Sequence, residues 1–121
     1  MSVVKLIRET DATIEKHSWG RIHWFAGSGE GRSEEMTFGK CIIEPDCNTR
    51  QHYHPNCEEI LHVVEGFVRH HVAGEEEFME LGPGDTIVIP PEVKHHAENV
   101  GSVEAELIVV YSSPEKESYA E

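Results

Sequence analysis

Apolar residues in this chain come in short bursts separated by turn residues, and the bursts alternate rather than recur with a helical period. The breaks are Gly27-Ser28-Gly29-Glu30-Gly31, Glu44-Pro45-Asp46, Glu65-Gly66, Ala73-Gly74, Gly82-Pro83-Gly84-Asp85, Pro90-Pro91 and Val100-Gly101. Between them lie β-prone segments: Ile22 to Ala26, Met36 to Glu44, Arg50 to His54, Glu59 to Val64, Phe67 to Val72, Thr86 to Ile89, His95 to Asn99 and Val103 to Tyr111. Many short strands with regularly spaced turns predict an all-β sandwich or barrel. The last segment shows which way side chains point. Ala105, Leu107 and Val109 share one face, and the other face turns from Glu104 and Glu106 to Ile108 and Val110, as expected where a second layer covers it.

The ends read differently. Residues 1–34 form an N-terminal extension whose apolar patch, Val3, Val4, Leu6 and Ile7, predicts an added edge strand or a strand that pairs with another subunit. Residues 35–111 carry the barrel. Residues 112–121 are a polar tail expected to fray.

Composition narrows the function classes. A chain of 121 residues is one domain with a single core. Its formal net charge of −13 repels nucleic acid and anionic membranes, so neither is expected as a partner. No helix-turn-helix segment precedes the barrel to suggest a regulator. Cys41, Cys47 and Cys57 are odd in number and lack a CxxC pair, which fits reduced thiols in a cytoplasmic protein better than a disulfide scaffold. No secretory leader or membrane-length apolar run is visible, in line with a cytoplasmic location.

Candidate chemistry lies in the histidines. His52 and His54 are two apart, so on a strand both rings point the same way, roughly 6.5–7 Å apart along the chain. Glu59 opens the apolar run Ile60-Leu61-His62-Val63-Val64, where a carboxylate is costly unless it is paired or binds a metal. Glu58 is the rival carboxylate, but its parity aims it at the opposite face. His95 lies far along the chain and joins the others only in a closed fold. Three imidazoles and one carboxylate suit one divalent transition metal (Fe, Mn, Ni, Co, Cu or Zn) and disfavour Ca²⁺ and Mg²⁺. Four protein ligands on a six-coordinate ion leave two positions for substrate, water or dioxygen.

Two longer patterns carry a resemblance. Asp46 to Gly66 reads D-CNTRQ-HYH-PNCE-E-ILHVVE-G, and Gly84 to Asn99 reads G-DTIVI-P-P-E-VK-H-HAE-N. They resemble the first and second motifs of the cupins, and the strand pattern extends the likeness over roughly residues 35–111. The resemblance implies an all-β double-stranded β-helix, or jelly-roll, barrel of two antiparallel sheets. It also implies a metal held by His52, His54, Glu59 and His95, structural roles for Gly66 and Asn99, and a homodimer. Asp46 and Glu92 stand where the motifs have glycine. Asp tolerates a left-handed backbone, but Glu does so less well, so the Pro91-Glu92 turn is expected to differ in shape.

Around this set, Arg50 shares the parity of His52 and His54 and is a candidate for holding a substrate carboxylate; the commoner reading is an Arg paired with a nearby acid. His70 or His71 must face inward on a regular strand. His70 is the substrate-contact candidate, with a place behind a ligand or in proton transfer, or ordinary packing, as alternatives. Trp19, Trp24 and Phe25 read as core or interface anchors. Phe38, Ile42, Leu61, Val63 and Leu107 read as pocket residues. The function expected is a metal-dependent enzyme on a small molecule, of dioxygenase type. A non-redox isomerase or lyase, and a small-ligand-binding module without turnover, are the alternatives.

Overall fold

The computed structural model describes residues 4–27, 29 and 31–120. Val3 of the N-terminal apolar patch, and Ser28 and Glu30 of the glycine-rich break, lie outside the described residues. Eleven strands and one 3₁₀ turn (Glu9–Asp11) form among the described residues. In chain order the strands are β1 (Thr13–His17), β2 (Gly20–Ala26), β3 (Thr37–Ile43), β4 (His52–Tyr53), β5 (Glu59–Glu65), β6 (Val68–Val72), β7 (Met79–Leu81), β8 (Thr86–Ile89), β9 (His95–Asn99), β10 (Ala105–Tyr111) and β11 (Tyr119–Ala120). No helix is long and apolar enough to cross a membrane.

Two antiparallel sheets result. One has the order β1-β2-β3-β10-β5-β8, and the other β11-β4-β9-β6-β7. Alternation sets the inner faces. In β10, Ala105, Leu107, Val109 and Tyr111 are buried while the residues between them are half-buried. In β5, Glu59, Leu61 and Val63 are buried and Ile60 is exposed. With Ile43, Val68 and Ala97 these side chains make the core between the sheets.

Several turns are set by single residues. Gly66 has φ +89°, and a Cβ there would stand 2.8 Å from the Ala105 Cα, so no other residue fits. Asn99 is fully buried; its side-chain amide donates to the carbonyls of Ile43 (2.8 Å) and Val103 (2.9 Å), and its Oδ1 accepts from the Gly101 N–H. The two departures from motif glycine, Asp46 (φ +63°) and Glu92 (φ +70°), are the non-glycine residues of positive φ among the described residues. The Glu92 turn therefore keeps the left-handed shape a glycine would give it, contrary to the altered turn expected. Its strain, roughly 1–2 kcal/mol by general sterics, is offset in part by the Glu92 N–H, which donates to the His54 carbonyl at 2.9 Å.

Four expectations need correction. The N-terminal edge strand is Thr13–His17 rather than the apolar patch before it; Val4 and Leu6 are largely exposed and outside any strand. The strand expected from Arg50 to His54 shrinks to His52–Tyr53, since only those residues find ladder partners, His52 in Ala120 and His95 and Tyr53 in Tyr119. The polar tail is pinned: β11 pairs with β4, and Asn56 donates to the Glu115 carbonyl and accepts from the Glu117 N–H, both at 2.8 Å. Polar tails fray only when nothing receives their backbone groups, and here Asn56 and β4 do. Finally, Phe38 and Ile42 belong to the outer face, because Gly39, Cys41 and Ile43 take the inward parity on β3.

Candidate metal centre

Both sheets contribute to one point. His52 on β4 and His95 on β9 are direct cross-strand partners. His54 follows β4 with the same parity, and its ring lies edge-on to His52 at 4.9 Å between centroids. Glu59 comes from the opposite sheet, as the first residue of β5. One ligand-type atom from each of the four lies within 4.8 Å of all the others. His54, Glu59 and His95 are buried; Glu58 is exposed, as its parity implied.

Each ring is held by the nitrogen that faces away from that point. The His52 Nδ1 is 2.7 Å from the Arg50 carbonyl and the His54 Nδ1 is 3.0 Å from the Glu117 carbonyl. A carbonyl only accepts, so both Nδ1 atoms must carry a proton, and in the neutral ring Nε2 is then the nitrogen with the lone pair. The His95 Nδ1 is 3.0 Å from the Nε2 of His70; an Nδ1–H donating to His70 leaves the His95 Nε2 free in the same way. Glu59 Oε2 accepts from the Tyr111 hydroxyl at 3.3 Å, across the β5–β10 pair.

What remains is a set of polar atoms with nothing to bond. The His54 Nε2, His95 Nε2 and Glu59 Oε1 are buried without a hydrogen-bond partner. The two nitrogens lie 3.3 and 3.5 Å from that oxygen. Adjacent ligands of an octahedral ion with bonds near 2.1 Å are about 3 Å apart. Unpartnered buried polar atoms cost on the order of 1–3 kcal/mol each, and one cation satisfies all of them. The donor set, three nitrogens and one carboxylate oxygen, fits a divalent transition metal.

Electrostatics keep the rings ready for an ion. Burial, reinforced by His52, His70 and His54, pushes the His95 pKa down to about 2. Burial lowers that of His70 to about 4 and also lowers that of His52. Neutral imidazole is the metal-binding form. Burial and the neighbouring Glu59 raise the Tyr111 pKa well above the usual phenol value, so its hydroxyl stays a donor.

The centre opens on a cavity of about 370 Å³. Leu61 and Leu107 line it, as expected of pocket residues, together with Trp24, Tyr111 and Cys41, whereas Val63, also expected there, is buried in the core instead. Arg50 lines its rim with an exposed side chain, and its carbonyl is what orients His52. His70 is fully buried in the wall behind His95. Trp24 joins the core and Trp19 packs against it, while Phe25 turns outward to meet Phe38 at 6.0 Å. Residue spacing did not reveal Tyr111, whose inward parity with Leu107 and Val109 was a usable signal. It also missed the tail residues Lys116 and Glu117, for which the sequence held none.

A family model for the cupin domain (Cupin_2) matches residues 39–111. Germin-like protein 3-8 of Oryza sativa subsp. japonica is 35% identical over 83 residues, 64% of this chain and 36% of that protein. Polyketide synthase CurC of Streptomyces cyaneus is 34% identical over 70 residues, 58% of this chain and 44% of that protein. The chain spans 36–58% of the length of the curated relatives it matches. Among solved structures, Lactobacillus farciminis oxalate decarboxylase in a formate complex superposes with a TM-score of 0.83 at 20% identity, over 92% of this chain and 34% of the other. Bacillus subtilis oxalate decarboxylase, studied for its Mn(II) centres, gives 0.83 at 17%, over 93% and 31%. At these identities the likeness establishes the shared fold.

Proposed function

The chain belongs to the cupin family, and on that premise we propose that it is a metal-dependent enzyme of dioxygenase type acting on a small molecule, with His52, His54, Glu59 and His95 as the ligands. The observation that carries this reading is the trio of buried, unpartnered atoms, His54 Nε2, His95 Nε2 and Glu59 Oε1, facing one another at the base of a cavity. A bound ion of this class supplies Lewis acidity, redox capacity and two further coordination positions.

The chain's own residues do the rest. The carbonyls of Arg50 and Glu117 and the imidazole of His70 fix the ligand rings with Nε2 inward. Tyr111 holds Glu59 with one oxygen free. Leu61, Leu107 and Trp24 give the cavity an apolar wall that limits water. Arg50 at the rim meets an anionic group of the substrate, while His70 acts through His95 as a positioning residue rather than by touching substrate.

Two further parts of the reading concern the setting. A homodimer is supported by the apolar side chains of Ile60, Val64 and Val88, left exposed on the outer face of the six-stranded sheet, and light scattering measures it. A cytoplasmic location is supported by three free cysteines.

The test is turnover by protein loaded in turn with Fe²⁺, Mn²⁺, Co²⁺, Ni²⁺ and Zn²⁺, offered small carboxylates, phenols and enols in an oxygen electrode. Oxygen uptake with one substrate and one redox metal is the expected result. Oxygen-independent turnover would move the assignment to an isomerase or lyase, and no turnover with any pairing would leave a ligand-binding module.

A further inference from the structure

The tail is pinned over the cavity, and it brings a cation with it. Lys116 lines the same cavity as the four candidate ligands. Its neighbours on both sides are clamped by one side chain: Asn56 donates to the Glu115 carbonyl and accepts from the Glu117 N–H. The Glu117 carbonyl in turn accepts from the His54 Nδ1. Lys116 is thus placed by the same contacts that orient a ligand.

Its ammonium lies 4.5 Å from the centre of the Trp24 ring and 5.5 Å from that of Tyr111. Two aromatic faces hold a cation in place but leave its hydrogen-bond donors unused. Glu15 also lines the cavity and feels the Lys116 charge, but both of its oxygens are bonded to other groups. Its Oε1 accepts from the Trp24 indole N–H at 3.2 Å, and its Oε2 is held by His17. Arg50 adds a second cation at the rim. With a divalent ion balancing Glu59, the cavity is formally cationic inside a chain whose net charge is −13. A pocket of that sign in an acidic protein selects anions.

We propose that Lys116, together with the rim cation Arg50, recognises substrate, and that the substrate is a small organic carboxylate with a flat apolar body, its carboxylate between Lys116 and the metal centre and its body against Trp24 and Leu107. This assignment rests on the metal-centre reading for where the carboxylate points, and on the tail for what it meets. A carboxylate accepts from the ammonium as a charge-assisted pair in a partly dry cavity, where such bonds are strongest. A neutral amide of the same shape lacks that charge.

The test is calorimetric titration of Mn²⁺-loaded protein with benzoate, salicylate and cinnamate, with benzamide as the neutral control. Wild type, Lys116→Met and Lys116→Arg are compared, and metal content is measured in the same samples. At least one carboxylate is expected to bind wild type with Kd below about 1 mM. Lys116→Met should weaken it about tenfold or more, Lys116→Arg should restore it to within a few-fold, and benzamide should not bind. All three proteins should hold equal metal. Equal carboxylate affinity in Lys116→Met, or no carboxylate binding by metal-loaded wild type, would overturn the assignment. Failure of wild type to take up metal would instead sink the metal-centre reading. The titrations are then made on the metal-free protein, where Lys116-dependent carboxylate binding, or its lack, still decides the role of this residue.

Discussion

Strands β6 and β9 carry four histidines that differ in one respect, the face they occupy. His70 and His95 point inward; His71 and His96, the next residues, point outward. The outer pair stacks face to face at 4.5 Å, and His71 reaches the Glu98 carboxylate at 3.1 Å with both side chains about one third exposed. The Glu98 carboxylate satisfies His71, and although the His96 Nδ1 is also buried without a partner, neither outer ring belongs to a cluster of ligand-type atoms among the described residues. The inner pair shares a single hydrogen bond of 3.0 Å in a dry wall, and the His95 Nε2 is left aimed at His54 and Glu59 with no partner. Identical residue types on identical strands thus yield an ordinary surface pair on one side and a metal-ready centre on the other. The cause is strand parity together with the Nδ1 partner each ring finds.

That comparison is most sharply broken by paired substitutions. His95→Gln is expected to weaken metal binding by more than about a hundredfold, the upper range for removing even a supporting contact, whereas His96→Gln should leave it unchanged; competition with a fluorescent chelator measures both. His70→Phe removes the acceptor behind His95 and should cost about 10–100-fold in metal affinity, with His71→Phe costing none in the same assay.

Acid reads the burial of these rings next, most strongly on the inner face, although burial lowers the pKa of His96 on the outer face as well. His52, His70 and His95 have proton affinities in the folded protein below those of the unfolded chain, burial being the first cause. Below about pH 6.5 the unfolded chain takes up protons that the fold refuses, so metal-free stability is greatest above that pH and declines as pH falls. The decline approaches about 1.4 kcal/mol per pH unit for each such histidine. For His70 it continues to about pH 4. Urea unfolding of metal-free protein between pH 7 and 5 reads the slope, and His70→Phe should reduce it by one histidine's share. The smallest effect expected concerns the strained turn that docks on His54. Glu92→Gly should stabilise by about 1 kcal/mol, read as a raised urea midpoint, with metal affinity unchanged.

How much of this was legible in the sequence depends on whether a feature is local. Thr86–Ile89 and His95–Asn99 are bounded by strong turn residues, and their strands form where the pattern put them. The four candidate ligands could be chosen because parity is a local property of a strand. Glu59 rather than Glu58 faces inward for that reason alone. Phe38 and Ile42 misled because apolar residues on both faces of β3 hide its parity. The tail was opaque for a different reason. Its order comes from Asn56 and from β4, some sixty residues earlier, and nothing in its own polar sequence announces those partners. The motif glycines replaced by Asp46 and Glu92 teach a third lesson. The fold kept the left-handed turns and accepted the strain, since the alternative would move the backbone contact to His54.

The central claim is that His52, His54, Glu59 and His95 hold one ion together, and metal content tests it directly. Protein purified without added metal should carry close to one transition-metal ion per chain by elemental analysis, and the His52→Ala/His54→Ala variant, folded by circular dichroism, should carry almost none. Equal metal in the two proteins would contradict the account.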